Sequence, residues 1–498
     1  MTVLTLVIFL PLAVALGLLV LPRLRDTAVI WVWIGACVVD LALVVAIWVG
    51  YDGGIGYETD VRWIPSVRAG YHVGVDGLSL PLLALTAVLF LACAVFSLRQ
   101  TRRVRAFAAL FLFLQTVCLG LFAALDLLLF FVFFDLSIVG MYFVIAGWGH
   151  GDNVRSALKF FLYTFLGSLV LLLGFIGLYL GAEPHTFDMA DLTRTPPLNG
   201  SPGLAALVLL AVGVGLAIKT PTVPVHTWLP PAHTDAPAAG SAILAGVMLK
   251  MGTYGFVRIA MPMLPEPWRR YAWVVIVVGV VSVLYGALVA LAQDNLKRLI
   301  AYTSVNHMGY IVLAVGAAGL AAGDVDARRL AVTGAVTQMV SHGLITGALF
   351  LLCGVLNDRG HSYDMDRYGG LARVAPVFAA LTVVGAFASL GLPGLSGFIA
   401  EFQIFTGAIG SGTGAAASAA AVAILGILIT AALFLRVLHR VLLGGPGELT
   451  GGVTDVRGSE LAAIAPLLAA SLVIGIAPRF LLDVIEPASA AVVSLVAR

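Results

Sequence analysis

Apolar residues fill the chain in blocks long enough to cross a bilayer, which takes about 20 residues as a helix. About fourteen such blocks follow one another, centred near residues 12, 39, 88, 114, 137, 169, 205–230, 246, 281, 306, 341, 376–409, 428 and 471. Two of them, 205–230 and 376–409, carry proline and glycine in their middle and are expected to be broken helices. Proline has no amide hydrogen, so Pro221 should release the carbonyl of Ala217, Pro224 that of Thr220 and Pro393 that of Ser389. Irregular backbone at membrane depth is tolerated only inside protein or beside a water-filled cavity. Between spans, 51–75 alternates and is rich in glycine, the pattern of a small exposed hairpin. The stretch 182–203, with Pro196 and Pro197, reads as irregular. The opening MTVLTLVIFLPLAVALGLLV has no basic leader or small-residue cleavage site and is expected to be the first span.

The pattern therefore predicts an all-α polytopic membrane protein. The two broken spans lie five spans apart, and an odd offset turns the second unit upside down relative to the first, the inverted-repeat arrangement of many transporters. We expect an N-terminal unit over 1–105 (helices 1–3 and the exposed loop), repeats over 106–260 (helices 4–8) and 261–442 (helices 9–13), and helix 14 within 443–498. Composition agrees: 61% of the 498 residues are hydrophobic and 11% charged, with a mean hydropathy of +1.05, which excludes a soluble domain. Loops after odd-numbered spans hold more basic residues, among them Arg23, Arg25, Arg99, Arg102, Arg103 and Arg105. That bias puts both termini on the outer side. Cys37, Cys93, Cys118 and Cys353 stand singly in apolar runs, without metal-ligand or iron–sulfur spacing. No phosphate-binding loop is present, and nothing calls for a nucleic-acid partner.

Lysine usage gives the sharpest chemical clue. Of 28 basic residues only four are lysines, Lys159, Lys219, Lys250 and Lys297, and each sits inside an apolar run or at its edge. Arginine stays charged, whereas buried lysine gives up its proton readily, so a lysine kept at these depths suggests proton transfer. Snorkelling, or neutralising one fixed carboxylate, is the alternative. The acidic residues inside spans are Asp40, Asp126, Asp135 and Glu401; a charge at the bilayer centre costs on the order of 3 kcal/mol, and such residues mark function by default. Asp135 and Glu401 are the stronger candidates, the latter closing the second broken span. His226 and His233 flank the first break, and His307 and His342 lie in later spans. A neutral imidazole both accepts and donates, which suits a relay; satisfied buried histidines are the alternative. Nothing marks a haem pocket.

The blocks GVDGLSLPLLALT (74–86), FVFFDLSIVGMYFVIAGWG (131–149), KFFLYTFLGS (159–168), IKTPTVPVHTWLPPAHTDAPAAGSAILAGVMLKMGTYG (218–255), DNLKRLIAYTSVNHMGYI (294–311) and GLPGLSGFIAEF (391–402) resemble the antiporter-like membrane subunits of respiratory NADH:quinone oxidoreductase (complex I). Within that family the likeness is to the bacterial M type, equivalent to mitochondrial chain 4, because the second broken helix carries Glu401 where related L, N and antiporter chains generally carry lysine. The resemblance implies a proton relay of Asp135, Lys219, Lys250, His307, His342 and Glu401, with His226, His233 and Lys159 secondary. It implies an Asp135–Lys219 ion pair; the family usually has glutamate at that first position, and the shorter aspartate calls for a bridging water. It further implies a multi-pass protein of the bacterial plasma membrane, proton pumping coupled to quinone reduction, and L- and N-type chains and small membrane subunits as partners. FMN, iron–sulfur clusters and quinone would reside in partner subunits and no redox cofactor in this chain. A subunit of a multisubunit sodium/proton antiporter is the alternative. A passive membrane spacer is a third reading, which the buried lysines and carboxylates argue against.

Overall fold

The computed structural model describes residues 3–20, 24–320, 324–411 and 413–497; Arg23, one of the residues behind the expected orientation, lies outside them. In chain order the elements are α1 (Val3–Val20), α2 (Asp26–Val49), β1 (Gly56–Ile64), β2 (Ala69–Val75), α3 (Leu80–Phe96), α4 (Val104–Ala123), α5 (Leu127–Trp148), α6 (Asn153–Gly181), α7 (Met189–Arg194) and α8 (Pro202–Lys219). They continue with α9 (Leu229–Asp235), α10 (Ala238–Met263), α11 (Pro265–Leu291), α12 (Leu296–Ala318), α13 (Val325–Gly360), α14 (Pro376–Ser389), α15 (Ser396–Gly410), α16 (Gly414–Leu442), α17 (Gly458–Ile476) and α18 (Arg479–Ala497). Among the described residues 13 helices are long and apolar enough to cross a membrane. With the shorter apolar α14 they coincide with the fourteen expected spans.

Burial decides which of these helices form the centre. The apolar windows of α10 and α12 are 94% buried and that of α13 is 100% buried, against 39% for α1, α6, α11, α16 and α17. A helix apolar all round belongs in the interior, and α10, α12 and α13 carry Lys250, His307 and His342. Three of the six relay candidates thus lie in the most enclosed helices. α12 is held against α11 by small residues: a Cβ on Gly279 would lie 2.6 Å from the Leu313 amide nitrogen, and one on Gly309 would lie 2.7 Å from that of Val283. Only glycine lets two helices meet backbone to backbone in this way.

Both expected breaks are present. α8 stops at Lys219 and the chain resumes as α9; α14 stops at Ser389, turns through Gly391 and Gly394 in the left-handed region (φ +74° and +95°), and resumes as α15. One local expectation is corrected. The Ala217 carbonyl is not left free, because the Thr222 amide reaches back to it at 3.1 Å, and the Trp228 indole donates to the next carbonyl, Ile218, at 2.9 Å. Proline removed the i+4 donor and the turn supplied an i+5 donor instead.

The expected hairpin is β1–β2, antiparallel, with Asp60 opposite His72. A second correction concerns the C-terminal segment, which holds two helices rather than one. After α17 comes α18, whose Leu481, Ile485, Val493 and Val496 are fully or almost fully buried, and which packs along α13. These positions recur at helical spacing on one face only, and their polar neighbours keep the run from reading as a span.

Candidate functional site

Helix α10 is not a regular α-helix. Leu244–Met248 and Phe256–Ala260 are π-helical turns, a feature that recurs at functional sites because it frees backbone groups. Lys250 follows the first of them. Its side chain is fully buried, and its Nζ donates to the Ala245 carbonyl at 2.5 Å and lies 2.7 Å from Nδ1 of His342. Neither partner is acidic. The His342 and His307 rings meet edge to face at 5.4 Å, and Nδ1 of His307 stands 3.8 Å from Oε1 of Glu401. Lys250, His342, His307 and Glu401 therefore form one continuous buried file drawn from α10, α13, α12 and α15.

Neutral side chains complete this file. The Gln338 amide nitrogen lies 3.1 Å from Nδ1 of His307, and Ser389 Oγ lies 3.1 Å from its Nε2. These two contacts hold the plane of the imidazole, and the orientation of the Gln338 amide decides which ring nitrogen carries the proton. A cavity of about 10 Å³ between His307, His342, Gln338 and Ser389 is at the lower limit for one water molecule. Gly391 makes room for the terminal carboxylate, since a Cβ there would lie 2.4 Å from Oε2 of Glu401. Gly391→Ala should displace Glu401 and add backbone strain on the order of 1 kcal/mol. We expect the chain still to insert, with a lowered thermal midpoint in detergent.

The other half is arranged differently from expectation. Lys219 Nζ is buried, donates to Ser137 Oγ at 2.8 Å and sits 4.7 Å above the Phe134 ring. Its hydrogen bond thus goes to Ser137 and not to Asp135. Residues 134 and 137 lie on the face of α5 turned towards α8. Residue 135 is rotated about 100° from its neighbour, and its carboxyl faces Ser168 of α6. Oδ1 of Asp135 is buried without a partner. The implied ion pair is replaced by a lysine–serine contact with the carboxylate two positions away. Thr220, next to Lys219, abuts Gly252, two residues from Lys250: a Cβ on Gly252 would lie 2.3 Å from Thr220 Oγ1. The Thr220 hydroxyl is also unpartnered. The two halves meet at this point.

Of the secondary candidates, His233 is fully buried, stacked on Phe350 at 4.6 Å, with both ring nitrogens unpartnered. His226 packs edge-on against Tyr285 at 5.1 Å, away from the file, and Lys159 is exposed on α6. Sequence reasoning noted Lys297 but left it out of the relay. It is fully buried, donates to the carbonyls of Ala236 and Thr234 where α9 ends, and lies 4.9 Å over the Tyr363 ring. It lies within electrostatic reach of His233, as does Lys250. The scarcity of lysine was the signal that could have promoted it. Among the described residues no group of three or more histidine, cysteine or acidic side chains is placed to hold a metal.

A bundle of spanning helices with two breaks and a buried lysine–histidine–carboxylate file defines an antiporter-like membrane subunit. Residues 124–430 match the family model described as "NADH:quinone oxidoreductase/Mrp antiporter, TM". The chain is 37% identical over 503 residues to NADH-quinone oxidoreductase subunit M of Rhodobacter capsulatus, covering 98% of this chain and 95% of that one. It is 38% identical to NAD(P)H-quinone oxidoreductase chain 4 1 of a Nostoc strain, covering 96% and 88%. In structure it matches a chain of respiratory complex I from Thermus thermophilus with a TM-score of 0.89 at 29% identity, over 99% of both chains. A chain of the Mrp complex from a Dietzia strain shares the fold, with a TM-score of 0.85 at 23% identity. The chain belongs to the NADH:quinone oxidoreductase/Mrp antiporter membrane-subunit family, and its kinship there is with the M-type subunits of NADH-quinone oxidoreductase.

Proposed function

We propose that this chain is the M-type proton-translocating subunit in the membrane arm of a bacterial NADH:quinone oxidoreductase. The observation that carries the reading is the unbroken file Lys250–His342–His307–Glu401, fully enclosed and free of any fixed counter-ion on Lys250. Lys219 loads from the side of α5, with the Asp135 charge acting on it through space. A proton then passes by water near Thr220 to Lys250, on to Nδ1 of His342, to His307, and to Glu401 as the terminal acceptor. Gln338 and Ser389 hold the His307 ring for that transfer. Lys297 and His233 offer a second approach to Lys250. The repeats 106–260 and 261–442 carry the two halves of the relay, while 1–105 and 443–498 flank them.

In this reading FMN, the iron–sulfur clusters and quinone belong to partner subunits, and L- and N-type chains and small membrane subunits are the neighbours. The protein resides in the plasma membrane with both termini outside. The test is NADH-driven acidification of inside-out vesicles carrying Lys219→Ala in a normally assembled complex. Pumping and NADH oxidation are both expected to fall at least fivefold. Wild-type levels of both overturn the relay, and sodium/proton exchange that is independent of NADH would support the antiporter alternative.

A further inference from the structure

The hairpin is fastened to the start of α5 by an arrangement that the relay does not explain. Residues 124–127, which lead into α5, run between β2 and the segment 187–189 and are bridged to each by backbone hydrogen bonds. The Leu125 amide donates to the His72 carbonyl, that of Leu127 to Phe187, and that of Met189 to Leu125, each at 2.9 Å. Asp126 caps α5 by accepting from the amides of Leu128 and Leu129, and its other oxygen accepts from the hairpin amide of Gly70 at 3.0 Å. Across these residues reaches the buried ring of His72. Its Nδ1 lies 2.5 Å from Asp188 and its Nε2 lies 2.7 Å from Glu58. One imidazole thus ties the hairpin to the segment 187–189 over the residues that start α5.

We propose that His72 is a positioning residue: clamped between Glu58 and Asp188, it fixes the hairpin end of α5 and through that rigid helix the placement of Asp135. Nine residues of α-helix separate Asp126 from Asp135, about 13 Å along one rod, so a shift or rotation at the cap is carried to the carboxylate. The inference rests on the relay reading of Asp135. Facing His72 are Glu58 and Asp60 from β1, Asp188, and Asp126 from the α5 cap. Arg62, Arg68 and Asp191 line the same cavity of about 520 Å³. Burial alone would lower the proton affinity of His72, but the Asp188 and Glu58 hydrogen bonds outweigh it and push the imidazolium up to about 9. Burial works against Asp188 as an anion too, yet the His72 contact holds its carboxyl below the usual range. The sign follows for a group raised above its unfolded value of about 6.5. The clamp is at full strength below about pH 6.5 and is lost as pH rises through about 9.

The test uses the whole detergent-solubilised complex and reads hydrogen-exchange protection of the 124–127 and 187–189 amides at pH 7 and pH 10. Proton pumping at pH 7 is measured in parallel in vesicles. Wild type should lose protection at least tenfold between the two pH values. His72→Gln should be poorly protected at both, and His72→Arg, which keeps a charged donor to two carboxylates, protected at both. Pumping should fall at least threefold with His72→Gln and recover to more than half with His72→Arg. Unchanged protection in His72→Gln overturns the clamp. Weak protection with wild-type pumping, in a background where Lys219→Ala does stop pumping, overturns the positioning role. If Lys219→Ala also pumps normally, the relay reading has failed and the positioning role falls with it, while the clamp stands on its own protection data. Should His72→Gln not assemble, the pH-dependent loss of protection in wild type, with its absence in His72→Arg, decides the clamp.

Discussion

Replacing Lys250 by alanine is expected to lower proton translocation at least tenfold in an assembled complex, with NADH oxidation falling alongside it. Lys250 stands between the two halves in the proposed relay: Gly252, two residues on, abuts Thr220, and its own amine meets His342. Deleting the amine leaves the Ala245 carbonyl and a buried imidazole nitrogen without their partner, which costs about 1–3 kcal/mol each. Assembly must therefore be checked before the rate is read. The informative arm is Lys250→Arg. A packing or charge role would survive in part, because arginine keeps the cation. A relay role would not, because guanidinium does not deprotonate in proteins. Equal loss of pumping in the alanine and arginine variants, measured as the initial rate of vesicle acidification with NADH oxidation followed in parallel, is the expected outcome. Near-normal pumping in Lys250→Arg would sink the relay at this position.

The second large effect is at Glu401. Glu401→Gln preserves size and hydrogen bonding but cannot take up a proton, and pumping is expected to fall at least tenfold with normal assembly. The carboxylate sits 3.8 Å from His307 with no lysine or arginine in contact, so removing its charge breaks no ion pair with a fixed cation. A fall in activity then reports on chemistry more than on stability. Glu401→Asp should restore part of the rate. The file would have to end elsewhere if glutamine pumped like wild type.

Much of this architecture was legible in the apolar pattern. Spans of about 20 residues leave a strong signal because the bilayer demands length and uniform apolarity together. Both helix breaks announced themselves through Pro221, Pro224 and Pro393. The site was legible at the level of residue type: Lys250, His307, His342 and Glu401, scattered over some 150 positions, do converge. The unread features depend on rotation rather than composition. A π-turn at Leu244–Met248 has no local sequence signature, yet it supplies the carbonyl that holds Lys250. The swap of Asp135 for Ser137 at Lys219 turns on which face of α5 meets α8. Lys297 stands at the edge of its apolar run, yet the end of α9 folds over it and buries it. α18 stayed hidden because a one-sided apolar stripe is too polar overall to count as a span.

The glycine seam between α11 and α12 has a mechanical consequence. Four glycines, Gly279 and Gly286 on one helix and Gly309 and Gly316 on the other, bring the two backbones so close that even a methyl group would collide with a facing amide nitrogen. Sliding one helix past the other by a single residue, about 1.5 Å, would move bulkier neighbours such as Val283 and Leu313 into those gaps. The pair therefore behaves as one stiff plate. His307, two residues before Gly309, is mounted on that plate as on a fixed post. In the proposed relay, a gating displacement is therefore expected at the turns after Lys219 and Ser389, with His307 as the stationary contact.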